Sequence, residues 1–201
     1  MSRSGNDPIA AHLSLSRDAL ERATQDAPLL DTARKIADVI TTALRGGHKL
    51  LIAGNGGSAA DAQHIAAEII GRYKKDRPAY AAIALTTDTS ALTAIGNDYG
   101  FEHIFSRQVE GLGKRGDVLL AITTSGRSPN VLAALKTARQ QGLVTIGFTG
   151  GKRAGMAALC DHLLVAPSDD TAVIQQIYMT FAHGICDVIE QTLMHSDSTG
   201  A

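Results

Sequence analysis

From residue 49 onward the chain alternates short apolar runs with longer stretches in which apolar positions return every three or four residues. Residues 49–53, 81–85, 117–122, 144–148 and 162–165 read as strands, and residues 58–73, 89–96, 102–113, 128–141 and 171–194 as helices. This alternation predicts an α/β fold: a doubly wound, five-stranded parallel sheet with helices on both faces, a three-layer αβα sandwich of flavodoxin or Rossmann type. In such sheets ligands bind where strand carboxyl ends meet helix amino ends.

Ahead of residue 49 the pattern is helical only. Leu13, Leu20 and Ala23 share one stripe; after Pro28, Leu30, Ala33, Ala37, Ile40 and Leu44 recur at helical spacing until Gly46-Gly47 ends the run. Such stripes suit either self-association or packing back onto the same domain. The expected division is a helical extension for oligomer packing over 1–48, the α/β domain over 49–194, and a disordered tail over 195–201.

Composition narrows the function classes. At 44% hydrophobic residues the chain can bury a core, and a net charge of −1 gives no electrostatic ground for binding nucleic acid or an anionic membrane. Trp is absent, and the four Phe and four Tyr do not interleave with basic clusters. No stretch approaches the ~20 apolar residues of a membrane span, and the N-terminus lacks the apolar run of a signal peptide. Cys160 and Cys186 form no metal-type pair and read as buried thiols of a reducing compartment. The expectation is a cytoplasmic protein without nucleic-acid or membrane partners.

Two strand–helix junctions have unusual composition. The first strand runs into Gly54-Asn55-Gly56-Gly57-Ser58, whose glycines allow tight turns and close approach of a ligand, with Ser58 as an expected helix cap. The third runs into Thr123-Thr124-Ser125-Gly126-Arg127-Ser128-Pro129, with Ser128 at the expected cap and Pro129 at the first helical position. Two hydroxyl-rich loops at strand ends point to a phosphate site formed by neutral donors and helix amino ends. No Walker Lys follows the glycines, and Ala59 stands where a dinucleotide fingerprint has its third glycine, so a nucleotide is not the expected ligand.

The helix after the first loop carries His64 and Glu68 four residues apart, on one face. That spacing suits two ligands of one Zn²⁺, an acid–base pair, or a solvated surface pair. The last helix carries Gln175 and His183 among apolar residues; His183 is either a satisfied core histidine or a proton carrier facing a cleft. Eight helical residues place Gln175 and His183 about 12 Å apart along the axis, so spacing alone does not make them co-ligands.

Taken together, Gly54-Asn-Gly-Gly-Ser58, His64-x-x-x-Glu68, Gly71-Arg72-Tyr73, Gly96-Asn97-Asp98-Tyr99-Gly100-Phe101, Thr124-Ser125-Gly126, Ile174-Gln175 and His183 resemble the bacterial phosphoheptose isomerases of the sugar-isomerase (SIS) fold, from about residue 10 to residue 194. The resemblance implies a homotetramer with active sites between subunits. It implies conversion of sedoheptulose 7-phosphate to D-glycero-D-manno-heptose 7-phosphate, the first step toward the ADP-heptose of the lipopolysaccharide core. It also implies Asn55, Gly56, Gly57, Ser58, Thr123, Thr124, Ser125 and Ser128 around phosphate and sugar, with Arg72, Asn97, Asp98 and Gln175 lining the site and Asp61 near it. His64, Glu68, Gln175 and His183 become the implied ligands of one Zn²⁺ per subunit, and Glu68 and His183 the catalytic pair. One departure is Ala172, where some relatives carry Asp; Asp169 or Asp170 is the available substitute.

The chain also resembles SIS proteins that associate with the replication initiator as non-catalytic tetramers. Those lack Glu at the position of Glu68 and His at the position of His183, and both are present here, which favours an enzyme. Nothing in the residues themselves measures the length of the sugar.

Overall fold

In the computed structural model, residues 7–153 and 155–197 are described. The sheet has five parallel strands in the order β2-β1-β3-β4-β5: β1 Leu50–Gly54, β2 Ala82–Ala84, β3 Val118–Ile122, β4 Val144–Thr149 and β5 His162–Val165. β1 pairs with β2 on one side (Leu50 opposite Ala82) and with β3 on the other (Leu50 opposite Val118). The chain therefore reverses its winding at β1, and the crevice beyond the carboxyl ends of β1 and β3 is the switch point where ligands bind in such sheets.

Alternate side chains of each strand serve opposite faces. Leu50, Ile52, Leu120 and Phe148 enter one core, covered by α1 (Pro8–Gln25), α2 (Ala27–Arg45), α3 (Gly57–Ile70) and α7 (Thr171–Asp197). Leu51, Ala53, Leu119 and Ala121 enter the other, covered by α5 (Ser106–Leu112) and α6 (Pro129–Gln141), with α4 (Thr89–Tyr99) at its margin. The three-layer sandwich expected from the alternation is the one observed.

Both N-terminal helices pack onto the domain, α1 through Ala19 and Ala23. α2 is capped by Asp26, which accepts from the Leu29 N–H, and its Ala33, Ile36, Ala37, Ile40 and Leu44 are buried in the first core. α2 thus packs along the first face of the sheet. α1 keeps Ile9, Leu13 and Leu15 exposed.

Several expected boundaries differ. α4 runs three residues past the expected end at 96, to Tyr99. α3 stops at Ile70, three residues short of the expected Tyr73, because side chains from α7 and the following loop capture its terminal groups, as described below. The helix expected over 102–113 is a 3₁₀ turn, Phe101–His103, followed by α5. α7 continues through Asp197, three residues into the expected tail; residues 198–201 of that tail lie outside the described residues.

Candidate active site

Both hydroxyl-rich loops lie at the switch point. Gly56 sits at φ +57 as the N-cap of α3, and Asn55 and Asn130 exchange two amide hydrogen bonds of 2.9 Å that tie the first loop to the start of α6. In the second loop Thr123 Oγ1 lies 2.9 Å from Ser128 Oγ and 3.4 Å from Ser125 Oγ, and Gly126 adopts φ +66. A cleft of about 130 Å³ opens beside it, lined by Thr124, Ser125, Arg127, Lys152 and Asp169. Arg127 therefore borders the cleft together with a second cation, Lys152.

Neither expected cap is made by its serine. Ser128 occupies the N-cap of α6 without a side-chain cap bond, its hydroxyl turned to Thr123. Ser58 is inside α3 and buried; its hydroxyl bonds the Tyr178 phenol at 2.9 Å. Tyr178 donates to Asp61 Oδ2 at 2.8 Å, so its oxygen accepts the Ser58 proton. Burial first, and the charge of Asp61, hold the Tyr178 phenol protonated far above its ordinary range.

Gln175 belongs to the same chain of bonds. Its Nε2 donates to Asp61 Oδ2 at 2.7 Å, and its amide lies against Gly57. Two turns further along the parallel helices α3 and α7, three other groups converge: His64 Nε2 is 3.0 Å from Glu68 Oε1 and 3.2 Å from His183 Nε2. One ligand atom from each of His64, Glu68 and His183 lies within 4.8 Å of the others. Gln175, the expected fourth ligand, is bonded to Asp61 through Nε2; Oε1 is the atom it would offer a cation.

The convergence is chemically specific. The carboxylate only accepts, and one ring nitrogen carries either one proton or one lone pair. His64 Nε2 cannot donate to Glu68 and also accept from His183. A cation at the centre removes the conflict. Ligand atoms about 3.4 Å apart are what tetrahedral Zn²⁺ with bonds near 2.1 Å requires. The residues present fit such an ion.

Tyr73 stacks on His183 with ring centroids 5.8 Å apart and 19° between planes, so His183 is walled on one side and open to the cluster on the other. Arg72, in the same loop, is exposed. Asn97 and Asp98 lie in the last turn of α4, exposed and bonded to one another at 2.7 Å; among the described residues they make no hydrogen bond to the loops or the cluster. Asp170, not Asp169, caps α7, accepting from the Val173 N–H. Burial pushes both cysteine thiols up to about 12, which removes them as nucleophiles. Sequence reasoning did not find Asn130, Tyr178 or the anchors of the Tyr73 loop, and it named Tyr73 only within the Gly71-Arg72-Tyr73 motif. Asn130 at the second position of a helix after a hydroxyl-rich loop was the one available signal.

The SIS-domain family model matches residues 15–150. A phosphoheptose isomerase of Bradyrhizobium sp. (strain ORS 278) is 72% identical over 186 residues, covering 92% of this chain and 94% of its own. The chain belongs to the phosphoheptose isomerase family of SIS-domain proteins. Phosphoheptose isomerase 1 of Campylobacter jejuni is 58% identical, covering 79% of this chain and 85% of its own. Among solved structures, the phosphoheptose isomerase of Neisseria gonorrhoeae superposes with a TM-score of 0.85 at 45% identity, covering 91% of this chain and 97% of that one. That of Francisella tularensis gives 0.87 at 36% identity, covering 91% and 96%. Among the described residues, no helix of this phosphoheptose isomerase family member is long and apolar enough to cross a membrane.

Proposed function

We propose that this chain interconverts sedoheptulose 7-phosphate and D-glycero-D-manno-heptose 7-phosphate through an enediol. The observation that carries the reading is the run of α3 and α7 side by side from the phosphate loops to the His64–Glu68–His183 cluster. From Gly57 to His64 is about 10 Å of helix, and from Gln175 to His183 about 12 Å. An extended seven-carbon chain spans that distance with its phosphate in the loops and C1–C2 at the cluster; a three-carbon chain does not.

The ketose and aldose differ by one proton between C1 and C2 and one between their oxygens. Glu68 takes the proton from C1 and returns it to C2. His183 donates a proton to O2 and accepts one from O1, so every proton removed is replaced. The loops and Gln175 hold the substrate so that C1 faces the carboxylate, and Tyr73 keeps the imidazole in place. His64, Glu68 and His183 are the residues that would hold Zn²⁺, which when bound supplies Lewis-acid polarisation of the sugar oxygens.

The assembly reading rests on surface chemistry. Leu20, Ala33, Phe181 and Val188 line an apolar groove of about 290 Å³ between α1, α2 and α7. Tyr99 and Phe101 are exposed beside Asn97 and Asp98, and the His64 side chain is 49% exposed within one chain. A homotetramer that covers these faces brings Asn97 and Asp98 of one subunit to the cluster of another. Light scattering on the purified protein reads the assembly directly; a monomer would overturn it.

The deciding experiment is product analysis with sedoheptulose 7-phosphate, with fructose 6-phosphate as control. Heptose 7-phosphate formation supports the reading. A protein stabilised by phosphate alone and turning over neither sugar would leave a binding protein.

A further inference from the structure

Beyond the cluster, on the side away from the phosphate loops, α3 and α7 are joined by a pair of buried opposite charges. The side chains of Arg77 and Glu190 are 2% and 1% exposed. Glu190 Oε1 accepts the N–H groups of Lys74 and Lys75 at 2.9 and 2.8 Å, and Oε2 accepts that of Tyr73 at 2.9 Å. Three successive amides thus wrap one carboxylate, an anion nest built from the loop that leaves α3. Arg77 donates Nη2 to the carbonyl of Glu68 at 2.7 Å and Nη1 to those of Ile69 and Pro78 at 2.9 Å. Its Nε lies 3.3 Å from Glu190 Oε2, a charge contact without hydrogen-bond alignment.

These contacts end α3 at Ile70. The Tyr73 amide that would bond the Ile69 carbonyl in a continued helix goes to Glu190, and the Ile69 and Glu68 carbonyls go to Arg77. They also reach both members of the catalytic pair. Arg77 grips the backbone of Glu68 itself. Glu190 stands seven residues, two turns, beyond His183 on α7, and fixes the loop whose Tyr73 ring lies on the His183 imidazole. Burying two charges is expensive, and a well-packed apolar pair holds two helices as firmly. An apolar pair cannot stop α3 at a set residue or turn Tyr73 onto His183.

We propose that Arg77 and Glu190 are positioning residues: they brace α3 against α7 so that Glu68 and His183 keep one separation, and they set Tyr73 as the wall that orients His183. This rests on the reading of Glu68 and His183 as the acid–base pair. The brace has a signature of its own, because a stacked tyrosine shifts the His183 Cε1–H resonance by its ring current.

The test compares Glu190→Gln, Tyr73→Leu and Tyr73→Phe with the unaltered protein, in kcat, KM, inhibition by inorganic phosphate, and the His183 Cε1–H resonance assigned through its loss in His183→Asn. Glu190→Gln lowers kcat by about tenfold or more, the penalty of slightly misplaced reacting groups. KM and phosphate inhibition stay within about twofold, because the loops are untouched. Its His183 resonance moves in the direction seen in Tyr73→Leu, while Tyr73→Phe, which keeps the ring, keeps the resonance. A folded Glu190→Gln with unchanged kcat and an unmoved resonance overturns the proposal. So does a loss of kcat with no change in the His183 signal. Should Glu190→Gln not fold, Arg77→Lys, which keeps the charge but loses the Nη2 bond to the Glu68 carbonyl, carries the same comparison. Should the unaltered protein not isomerise the heptose, the functional reading fails, and the resonance still decides the brace.

Discussion

The side-chain amide of Gln175 lies against Gly57 so closely that a Cβ there would come within 2.6 Å of both its Nε2 and its Oε1. Gly57 is therefore glycine for contact and not for backbone strain; the positive φ belongs to its neighbour Gly56. Gly57→Ala pushes the amide off the loop and off Asp61. The expected result is a fall of about tenfold or more in kcat/KM, from misplacement of a group that lies between phosphate loop and cluster, with a melting temperature within a few degrees of the parent. Steady-state kinetics and a thermal melt check both halves.

Asn130 is the residue through which α6 reaches Asn55. Each amide of the pair both donates and accepts, and Asn130 is 2% exposed. Asn130→Ala leaves both polar ends of the Asn55 amide without their partner, a loss of about 1–3 kcal/mol in a buried setting. The first loop then loses its tie to the start of α6. KM for the sugar phosphate is expected to rise by roughly five- to tenfold, with kcat less affected, if the loops hold the phosphate away from C1 and C2 as proposed. Equal losses in kcat and kcat/KM, with KM unmoved, would mean that the pair acts on the reacting end.

Glu68→Gln keeps the shape of the side chain and removes its basicity. Isomerisation is expected to fall by about 10²–10⁴-fold, the usual worth of a positioned general base. Inhibition by inorganic phosphate should persist, because the donors of the Thr123–Ser128 loop lie between β3 and α6 and not on α3, which carries this carboxylate. Near-normal turnover in a coupled assay would remove Glu68 from the mechanism.

The three converging groups also make a stability prediction that needs no turnover. Zn²⁺ at about 100 times its dissociation constant should add roughly 2.7 kcal/mol. For a domain of this size that is about 5–10 °C in melting temperature. Stripping the protein with a chelator lowers the melt by that amount, zinc restores it, and His64→Ala abolishes the response. A zinc shift of the same size in His64→Ala would place the ion elsewhere.

What could be read beforehand follows the range of the interactions. The strand positions and the two strand–helix loops were legible because they depend on local apolar runs and turn residues; β5 was placed without error and β3 within one residue. His64 and Glu68 were legible because helical spacing alone puts them on one face. Ser58 and Ser128 were misassigned as caps because each has a better tertiary partner, Tyr178 and Thr123, and a cap is only a local preference. The end of α3 was missed because Glu190 is 117 residues from the Tyr73 amide that it captures. Tyr178 was hidden for the opposite reason: on an apolar helix it reads as core, and only the structure aims its hydroxyl at Asp61.

Acid should unfold the protein through two buried carboxylates far from the active cleft and beside it. Asp117 Oδ1 accepts the Lys49 N–H; Oδ2 accepts the Lys49 ammonium and the Lys114 N–H. Burial works against its charge, but these bonds and the charge of Lys49 outweigh it, and its carboxyl is held below the usual range. For Glu190, too, burial is overcome, by the amides of residues 73–75 and by Arg77, with the same net direction. A carboxyl whose folded pKa is depressed gives stability that is complete above its unfolded value, near 4, and lost as pH falls through the folded value. The melting temperature is therefore expected to be flat with respect to these groups above about pH 5 and to drop steeply below about pH 4. Asp117→Asn separates one contribution: its amide NH₂ would face the donors that Oδ2 now accepts. At neutral pH it should destabilise by roughly 3 kcal/mol, as removal of one partner from a buried pair does, and its melting curve should lose part of the acid slope. A variant with the parent's neutral-pH melt and full acid slope would show that the Lys49–Asp117 pair holds nothing in place at the foot of β1 and β3.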